Sequence, residues 1–457
     1  MEEIFSLSKG GVAGSGAPGK DFRGENVIRR MRRTLELLGD PQNDYKIVHI
    51  AGTNGKGSVA AFTASILKSA GKMTGLFTSP HVMRYSERFT IDGVQISDDD
   101  FIKTAECVLT LNDTLEKEGY GRLSPFDALT AVAYKYFSDA GAEYAVIEVG
   151  LGGRFDPTNA IERPAVTVVT DIGLDHTDRL GHDIKLIAAE KAGIIKAGAP
   201  VISQPSDPEV KKVIEEHAKE ACAHFIDTSS VPVTVAPPKE RSKTVFDAEI
   251  SGRRLRGLEI SLLGRHQVKN AVSAVAAVLA LPDDEITEEA IREGLSKAVN
   301  PGRFQIISEK PYIILDGAHN PPGVRAAMET LTDRFGDIIC DSDISFVIGC
   351  FRDKEYEKMA EIFAEAIKEI KGRCGAAGRS HGIKVIATEP DDGRKLPAET
   401  LKEVLERCGV GAEAARDWRD AFYGARENAS EIVLFLGSIY FIGDILRFFK
   451  EKREESL

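Results

Sequence analysis

The sequence predicts an α/β protein with two domains. The first is a P-loop domain with a mostly parallel sheet and a small antiparallel β region, and the second is Rossmann-like. Three observations predict this fold: strand and helix patterns alternate along most of the chain, a Gly-Lys-Gly loop follows the first buried strand, and the alternation restarts after turn residues at 299–302. The 457 residues are enough for two or three domains, and we place the domains at 1–298 and 299–457.

Apolar runs predict the buried strands of the first domain, at residues 46–50, 72–77, 144–149, 165–170 and 200–203. Helical patterns such as 58–70 and 126–137 lie between them, which favours a parallel sheet covered on both faces. The stretch 244–263 alternates apolar and polar residues around Ser251-Gly252, and it predicts an antiparallel hairpin added to the sheet. Residues 266–281 follow as one apolar, buried helix.

The second domain repeats the alternation. Strands are predicted at 312–315, 344–348, 383–387 and 432–436, and the clearest helix is 355–371. This order of strands and helices is typical of a Rossmann-like domain.

Composition excludes several classes of protein. The 71 acidic residues outnumber the 59 basic residues, so a nucleic-acid or anionic-membrane partner is not expected. No apolar run is long enough to cross a bilayer, and the acidic N-terminus does not resemble a signal peptide. The six cysteines form no CxxC pair, which indicates a reducing cytosol with neither a disulfide framework nor a zinc site. We therefore expect a cytoplasmic protein.

The loop after the first strand carries the strongest functional signal. Glycines let backbone N–H groups turn around a phosphate, the lysine supplies a positive charge, and the following helix adds its N-terminal potential. The loop is a compact variant of the common GxxxxGK[ST] pattern, and we expect it to bind the phosphates of a nucleotide. Its predicted nucleotide-binding residues are Gly52, Thr53, Asn54, Gly55, Lys56, Gly57 and Ser58.

A second stretch, residues 14–20, matches GxxxxGK literally. However, Asp21 replaces the Ser/Thr, no strand precedes the stretch, and Pro18 stiffens it. We interpret it as a mobile segment without a phosphate site.

Polar residues follow three further strands of the first domain. Glu148 ends one strand, Ser79 follows another, and Asp171 and His176 follow a third. Because open α/β sheets bind ligands at the carboxyl ends of their strands, these groups are expected near the phosphate loop. Hydroxyl, carboxylate and imidazole groups beside phosphates favour a Mg²⁺ site.

Several motifs occur in one order along the chain. They are GTNGKGS at 52–58, TSPH at 78–81, SER at 86–88, EVGLGGR at 148–154, GLDHT at 173–177, EKAGIIK at 190–196, HQVKNA at 266–271, PGR at 301–303 and DGAHNP at 316–321. This series resembles the folylpolyglutamate synthase/dihydrofolate synthase family, a branch of the Mur ligase superfamily.

The resemblance implies ATP-driven amide formation. A folate or dihydropteroate carboxylate would attack the γ-phosphate of ATP to give an acyl phosphate, and L-glutamate would then displace phosphate. Phosphorylation is needed because a carboxylate anion is a poor electrophile, and Lys56 and metal ions would stabilise the charge on the transferred group.

The resemblance also assigns roles to residues. Ser79 and Glu148 would hold one Mg²⁺, and His176 would help to hold a second. Lys191 would act as a carbamate. Nucleotide contacts from elsewhere in the chain would come from Asn270, Arg303, Asp316 and His319, the last three reaching across a cleft between the domains, and Phe126 and Asp156 would lie by the pterin.

The chain departs from the family where many relatives have Thr-x-Phe-Glu. Here the residues are Ser124-Pro125-Phe126-Asp127, with a shorter acid.

Two alternatives remain. A Mur-type ligase acting on another carboxylate would share the ATP chemistry, although only 51 residues precede Gly52, about the minimum for a separate UDP-binding domain. A binding module regulated by ATP would have no need of Glu148, His176 and Lys191 together. The sequence leaves the choice of folate substrate open, and we expect a monomer.

Overall fold

A computed structural model describes residues 20–174, 181, 183–282, 286–376, 382–427 and 430–454. The chain forms two compact units. The first comprises Met1–Thr234, Phe246–Glu259 and Lys269–Ala298, and the second comprises Val235–Val245, Ile260–Val268 and Val299–Leu457. Residues 235–245 and 260–268 thus belong to the second unit, whereas the sequence analysis places them in the first domain.

An eight-stranded sheet forms the centre of the first unit, with strand order β4-β3-β2-β5-β1-β6-β7-β8. Its strands are β1 (Lys46–Ala51), β2 (Thr74–Phe77), β3 (Phe89–Ile91), β4 (Val94–Gln95), β5 (Tyr144–Glu148), β6 (Val166–Val169), β7 (Val201–Ser203) and β8 (Phe225–Asp227). Strand β1 pairs in parallel with β5 and with β6. Because the chain continues from β1 first to the β2–β5 side and later to the β6–β8 side, the carboxyl end of β1 is the topological switch point, where open α/β sheets bind ligands.

Helices cover this sheet as the alternating pattern predicts. They are α1 (Lys20–Leu37), α2 (Lys56–Ser69), α3 (Asp98–Thr110), α4 (Asn112–Lys117), α5 (Pro125–Asp139), α6 (Ile184–Ala192), α7 (Pro208–Glu220), α8 (Arg265–Leu279) and α9 (Glu288–Lys297). Short 3₁₀ helices are present at Pro41–Asn43, Tyr85–Arg88 and Pro157–Ala160. The helix of the phosphate loop, α2, packs closely on α9, because a Cβ atom at Gly294 would collide with the backbone of Ile66.

The predicted hairpin is present, but it does not extend the large sheet. Its strands, β10 (Thr244–Ile250) and β11 (Arg253–Ile260), form a separate three-stranded sheet with β9 (Val233–Val235). The alternating burial along β10 shows one buried and one exposed face. Such alternation predicts an antiparallel pair but does not identify the sheet to which the pair belongs.

The second unit contains a six-stranded sheet with order β12-β13-β17-β14-β15-β16. The strands are β12 (Gln305–Glu309), β13 (Tyr312–Asp316), β14 (Ile344–Gly349), β15 (Ile383–Thr388), β16 (Glu413–Ala415) and β17 (Ile432–Leu436). Strand β12 is antiparallel to β13, and the other described pairs are parallel.

Two apolar clusters bury the two faces of this second sheet. One includes Phe335 and Phe363, and the other includes Trp418 and Phe441. The helices that supply them are α10 (Pro321–Ile339), α11 (Tyr356–Ala376), α12 (Ala398–Arg407), α13 (Trp418–Glu427) and α14 (Ile439–Glu454). The predicted fold class is confirmed.

The cysteines differ from the sequence-based expectation at one pair. Cys340 and Cys374 are joined as a disulfide, with their Cα atoms 5.0 Å apart. Cys340 directly follows α10 and Cys374 lies near the end of α11, so the pair meets only because these helices pack together. The two cysteines are 34 residues apart, and no sequence pattern indicates that they pair. Cys107, Cys222, Cys350 and Cys408 are free.

In the part of the chain that the structure describes, no helix combines the length and the apolar composition required to span a membrane.

Candidate active site

The phosphate loop lies between β1 and α2, and its conformation requires glycine at two positions. Gly52 has φ 154° and Gly55 has φ 92°, both in the region that favours glycine. A Cβ at Gly52 would also collide with the hydroxyl of Thr170, and one at Gly55 would lie 2.5 Å from Oδ1 of Asn270. The two glycines therefore let the loop pass close to the end of β6 and to α8.

Hydrogen bonds fix the loop to the segment that follows β6. The backbone N–H of Thr53 donates to the carbonyl of Asp171 at 2.8 Å, and the Thr53 hydroxyl donates to the carbonyl of Gly173 at 3.0 Å. In the other direction, the Thr170 hydroxyl donates to the carbonyl of Asn54 at 2.7 Å. These hydrogen bonds hold the loop against the end of β6 and the residues that follow it.

Two lysines converge on one carbonyl of the loop. Nζ of Lys56 lies 3.0 Å from the carbonyl oxygen of Gly52 and 3.2 Å from that of Thr53. Nζ of Lys191, on α6, lies 2.8 Å from the same Gly52 oxygen. Lys191 is only 5% exposed, so the structure places this residue in the interior beside the phosphate loop. Ser58, in the first turn of α2, is also buried.

Glycines in the loop after β5 bring α6 to this position. The N–H of Arg154 donates to the carbonyl of Glu190 at 2.8 Å, and a Cβ at Gly153 would lie 2.7 Å from that carbonyl oxygen. Burial raises the pKa of the Glu190 carboxyl, against the opposing effect of Arg154. The close packing of this loop on the last turn of α6 positions Lys191.

Glu148 and Ser79 lie together at the carboxyl ends of β5 and β2. Glu148 is 4% exposed, and the backbone N–H of Ser79 donates to its Oε2 at 3.0 Å. A buried carboxylate and a neighbouring serine hydroxyl are the oxygen donors that Mg²⁺ prefers, so these residues fit the predicted metal. Among the described residues no group of three or more His, Cys, Asp and Glu side chains is placed to hold a metal. His176, the predicted ligand of a second metal, and residues 14–19 of the literal GxxxxGK match lie outside the described residues.

The two predicted pterin-contacting residues flank the loop after β5. The ring of Phe126 lies against Gly150, where a Cβ would collide with it, and 6.1 Å from the ring of Phe77. Asp156 is 3% exposed, and burial raises the pKa of its carboxyl to about 6. Its oxygens accept hydrogen bonds from the backbone N–H groups of Leu151 at 2.8 Å and Thr158 at 3.0 Å.

Asn270, on α8, is oriented by a residue that the sequence analysis did not single out. Nε2 of Gln204, directly after β7, donates to Oδ1 of Asn270 at 2.9 Å, and both side chains are buried. The position of Gln204 at the carboxyl end of a predicted strand was the available signal. The contact itself joins residues 66 positions apart and requires the fold.

The shorter acid of the Ser-Pro-Phe-Asp motif forms an ion pair in which the acid is buried and its partner is mostly buried. Oδ2 of Asp127 lies 2.5 Å from Nη2 of Arg30, on α1, and also accepts the N–H of Ser124 at 2.9 Å. Asp127 is 2% exposed, and the capping interaction begins α5 directly beside Phe126. Asp127 departs from the family pattern in the sequence, but no sequence pattern identifies Arg30 as its partner.

Glu87 holds the backbone of the segment that follows Ser79. Its carboxylate accepts the N–H groups of Val82 at 2.7 Å, Met83 at 3.0 Å and Arg84 at 2.9 Å. Nε of Arg88 donates to Nδ1 of His81 at 3.0 Å. The TSPH and SER motifs are therefore parts of one hydrogen-bonded turn.

In the second unit, Asp316 is the last residue of β13, and its hydrogen bonds join the segments that contain Arg303 and His319. The Asp316 carboxylate accepts the N–H of Phe304 at 2.9 Å and that of Ala318 at 2.7 Å. Burial raises the pKa of the Asp316 carboxyl to about 6, and the positive charge of Arg303 opposes this shift. Nδ1 of His319 lies 2.9 Å from the carbonyl oxygen of Gly317, which makes that nitrogen the protonated one.

Comparisons with known proteins identify the class of protein to which this chain belongs. The family of Mur ligase middle domains matches residues 125–278, and the family described as Mur ligase, glutamate ligase domain, matches residues 302–439. The fold and the site therefore define a Mur-type ligase.

Relatives that match most of the chain identify its family within the Mur-type ligases. A dihydrofolate synthase/folylpolyglutamate synthase of Bacillus subtilis is 34% identical over 92% of this chain and 94% of its own. A folylpolyglutamate synthase of Lacticaseibacillus casei is 34% identical over 75% of this chain and 79% of its own. The chain belongs to the folylpolyglutamate synthase/dihydrofolate synthase family of ligases.

Solved structures of members of this family also resemble the present fold. The Mycobacterium tuberculosis folylpolyglutamate synthase in complex with ADP and AMPPCP has a TM-score of 0.83 and 30% identity, and the match covers 92% of this chain and 95% of that one. An Escherichia coli structure in complex with DHPP and ADP has a TM-score of 0.80 and 28% identity, covering 99% and 98% of the two chains. A Yersinia pestis folylpolyglutamate synthase/dihydrofolate synthase in complex with AMPPNP and a Mn ion has a TM-score of 0.78 and 27% identity, covering 98% of each chain.

Proposed function

We propose that this protein uses ATP to join L-glutamate to the carboxylate of a folate or of dihydropteroate. The observation that carries the proposal is the phosphate loop at 52–58 with Lys56 and Lys191 both bound to Gly52, in a chain that matches a dihydrofolate synthase/folylpolyglutamate synthase over 92% of its length. The complexes of relatives with ADP, AMPPCP, DHPP and a Mn ion support ATP, a folate precursor and a divalent metal as its ligands.

The reaction has two steps. An oxygen of the substrate carboxylate attacks the γ-phosphorus of ATP, and the bond from that phosphorus to the β,γ-bridging oxygen breaks. The products of this step are ADP and an acyl phosphate. The amine of L-glutamate then attacks the acyl carbon, loses a proton and expels inorganic phosphate. Lys56, released from the carbonyls of Gly52 and Thr53, would place its charge on the transferred phosphoryl group.

The remaining residues of the loop would bind the phosphates with backbone N–H groups and the Ser58 hydroxyl. Asn270, whose side chain is held by the hydrogen bond from Gln204, would contribute a nucleotide contact. Arg303, Asp316 and His319 of the second unit would contribute further nucleotide contacts. Asp316 is already engaged by two backbone N–H groups, so its contribution would include holding the loop of Phe304 in shape.

Mg²⁺ would be held by Ser79 and Glu148, and a second ion would be held with the help of His176. Bound there, Mg²⁺ neutralises negative charge on the phosphate oxygens. Glu148 is oriented for this role by the N–H of Ser79, which fixes one carboxylate oxygen. Carbamylation of Lys191 would convert its ammonium into an anion suited to the second ion.

The pterin would lie against Phe126 and Asp156. A monomeric state and a cytoplasmic location are further predictions, with no nucleic acid or membrane as partner.

ATP turnover measured with dihydropteroate and with tetrahydrofolate side by side, each with and without L-glutamate, tests the proposal. Phosphate release that requires both glutamate and one of the folates is expected. Turnover only with a different carboxylate would favour another Mur-type ligase, and nucleotide binding without turnover under any of these conditions would favour a regulated binding module.

A further inference from the structure

His49 is a buried polar residue that the proposed mechanism does not use. It lies in the middle of β1, three residues before Gly52, and is 0% exposed. Burial lowers the pKa of its imidazole to about 3, so the ring is neutral and has one N–H donor and one acceptor nitrogen. Among the described residues nothing hydrogen-bonds its Nδ1 atom. An apolar residue at this position would avoid the unsatisfied nitrogen. A histidine here is therefore expected to have a role other than packing.

The other ring nitrogen belongs to a chain of hydrogen bonds that ends at Asp156. Nε2 of His49 lies 3.0 Å from the hydroxyl of Thr158, and that hydroxyl lies 2.5 Å from Oδ1 of Asp156. An ionised carboxylate only accepts hydrogen bonds, so the Thr158 proton points to Asp156. Thr158 can then only accept from His49, which places the imidazole proton on Nε2.

The same bonds leave Asp156 with one free acceptor position. Its Oδ1 accepts both the N–H and the hydroxyl of Thr158, and its Oδ2 accepts the N–H of Leu151. A carboxylate has about four lone-pair positions, and three of them are filled by described residues. The vacant position is on Oδ2.

We propose that His49 and Thr158 are positioning residues that orient Asp156 so that Oδ2 accepts one N–H group of the substrate's pterin ring. This inference rests on the proposed function. Through Leu151 and Thr158 the carboxylate is bonded to the loop after β5 and to the 3₁₀ helix Pro157–Ala160, and His49 bonds that helix to the strand of the phosphate loop. The ring end of the substrate is thereby set relative to the phosphate loop, where its carboxylate must meet the γ-phosphate.

Variants of Thr158 separate this role from packing. Thr158→Val removes the hydroxyl at nearly constant volume, and Thr158→Ser retains it. We expect Thr158→Val to raise KM for the folate substrate about tenfold, the effect of losing roughly one hydrogen bond. KM for ATP should remain within about twofold of its original value, and Thr158→Ser should restore KM for the folate substrate. His49→Leu should act in the same direction, and His49→Gln, which keeps an N–H donor, should act less.

A second measurement uses the charge of Asp156. The Thr158 hydroxyl lowers the pKa of the Asp156 carboxyl, against the effects of burial and of the nearby Asp127 carboxylate. Thr158→Val should therefore move the acidic limb of kcat/KM for the folate substrate to higher pH. Asp127 and Tyr134 are the other ionisable groups near this carboxyl, and Lys196 acts on His49, but none of them is altered by the substitution.

The carboxyl ¹³C NMR titration of Asp156 gives the same information without any substrate. If the wild-type protein fails to turn over ATP with a folate, the proposed function is wrong, yet the NMR titration still tests the hydrogen-bond chain. If turnover is normal but Thr158→Val raises KM for ATP and folate equally, or leaves the acidic limb and the NMR titration unmoved, the positioning role is overturned.

Discussion

Nζ of Lys191 lies 2.8 Å from the carbonyl oxygen of Gly52, so α6 and the phosphate loop are in direct contact. The lysine is buried beside the loop proposed to bind phosphate. An ammonium in this position would be repelled by Mg²⁺, whereas a carbamate would be attracted and would keep an N–H for the Gly52 carbonyl.

Lys191→Ala should abolish turnover. Activity should return in part with a short carboxylic acid if the carbamate matters, because the acid restores an anion in the vacated space. Rescue by a small amine would instead identify the positive charge as the active feature. Mass spectrometry of the unmodified and ¹³CO₂-exposed protein, with Lys191→Ala as the control, measures the carbamate directly.

Lys56 and Lys20 provide a matched test of the two glycine-lysine motifs. Lys56→Ala should reduce ATP turnover by at least about a hundredfold, because the lysine charge stabilises the transferred phosphoryl group. The fold should remain intact, since the Lys56 ammonium donates to two carbonyls of the loop itself. Lys20→Ala should leave turnover nearly unchanged. Steady-state kinetics of both variants measure these effects. A larger loss of turnover in Lys20→Ala than in Lys56→Ala would show that the literal GxxxxGK match is the functional loop.

The sequence predicts the sheet-forming strands near the site because they are buried on both faces and give continuous apolar runs. Strand β1 was predicted at 46–50 and spans Lys46–Ala51. The sequence does not predict short edge strands such as Val94–Gln95 and Glu413–Ala415. Each has only two or three residues, and their side chains are exposed or half-buried, so they form no recognisable hydrophobic pattern.

The individual site residues were predictable from motifs, whereas the contacts that orient them were not. Arg30 and Asp127 are 97 residues apart, and His49 and Thr158 are 109 residues apart. Such pairs arise from the packing of distant elements, for which one sequence holds no local pattern. The same holds for the disulfide between Cys340 and Cys374.

Close helix packing predicts a strong effect of adding one methyl group at Gly294. Gly294→Ala should destabilise the first unit by about 3 kcal/mol, because its Cβ would collide with the backbone of Ile66 on α2 and neither backbone can yield easily. Gly336→Ala is the control, since a Cβ there meets nothing within 4 Å in a helix of the second unit. Scanning calorimetry measures both, and equal transition temperatures for the two variants would contradict the prediction.

The buried ion pair predicts an asymmetric effect of removing one partner. Arg30→Met should destabilise the protein by about 3 to 5 kcal/mol, because the Asp127 carboxylate would remain buried without its cation. Arg33 lies on the same helix as Arg30 and forms a more exposed ion pair with Glu118. Arg33→Ala should therefore leave the stability of the protein nearly unchanged. Calorimetry of both variants tests the ranking, and a double variant Arg30→Met/Asp127→Leu should recover part of the loss.

Asp316 predicts a pH dependence of stability in the second unit. Burial raises the pKa of its carboxyl to about 6 from an ordinary value of 3.8, so the folded state binds the proton more tightly than the unfolded state. The stabilisation is therefore complete below about pH 4 and is lost as pH rises to about 6, a change of roughly 3 kcal/mol. Relative to Asp316→Asn, which cannot titrate, the wild-type protein should lose stability across this range.

Trp418 is the single tryptophan of the chain and is fully buried in the second unit, so its fluorescence during urea unfolding reports on the unit that holds Asp316. Asp392→Asn is the control with the opposite sign. The hydrogen bond from Arg394 lowers the pKa of the Asp392 carboxyl, so its contribution is present at neutral pH and is lost as pH falls through the folded-state pKa. The difference in unfolding free energy between wild type and Asp316→Asn should decline from pH 4 to pH 6.5. The difference for Asp392→Asn should stay nearly constant over this range and decrease only as pH falls below about 4. A flat difference for Asp316→Asn would show that its carboxyl has the same proton affinity in the folded and unfolded states, and would contradict the burial on which the prediction depends.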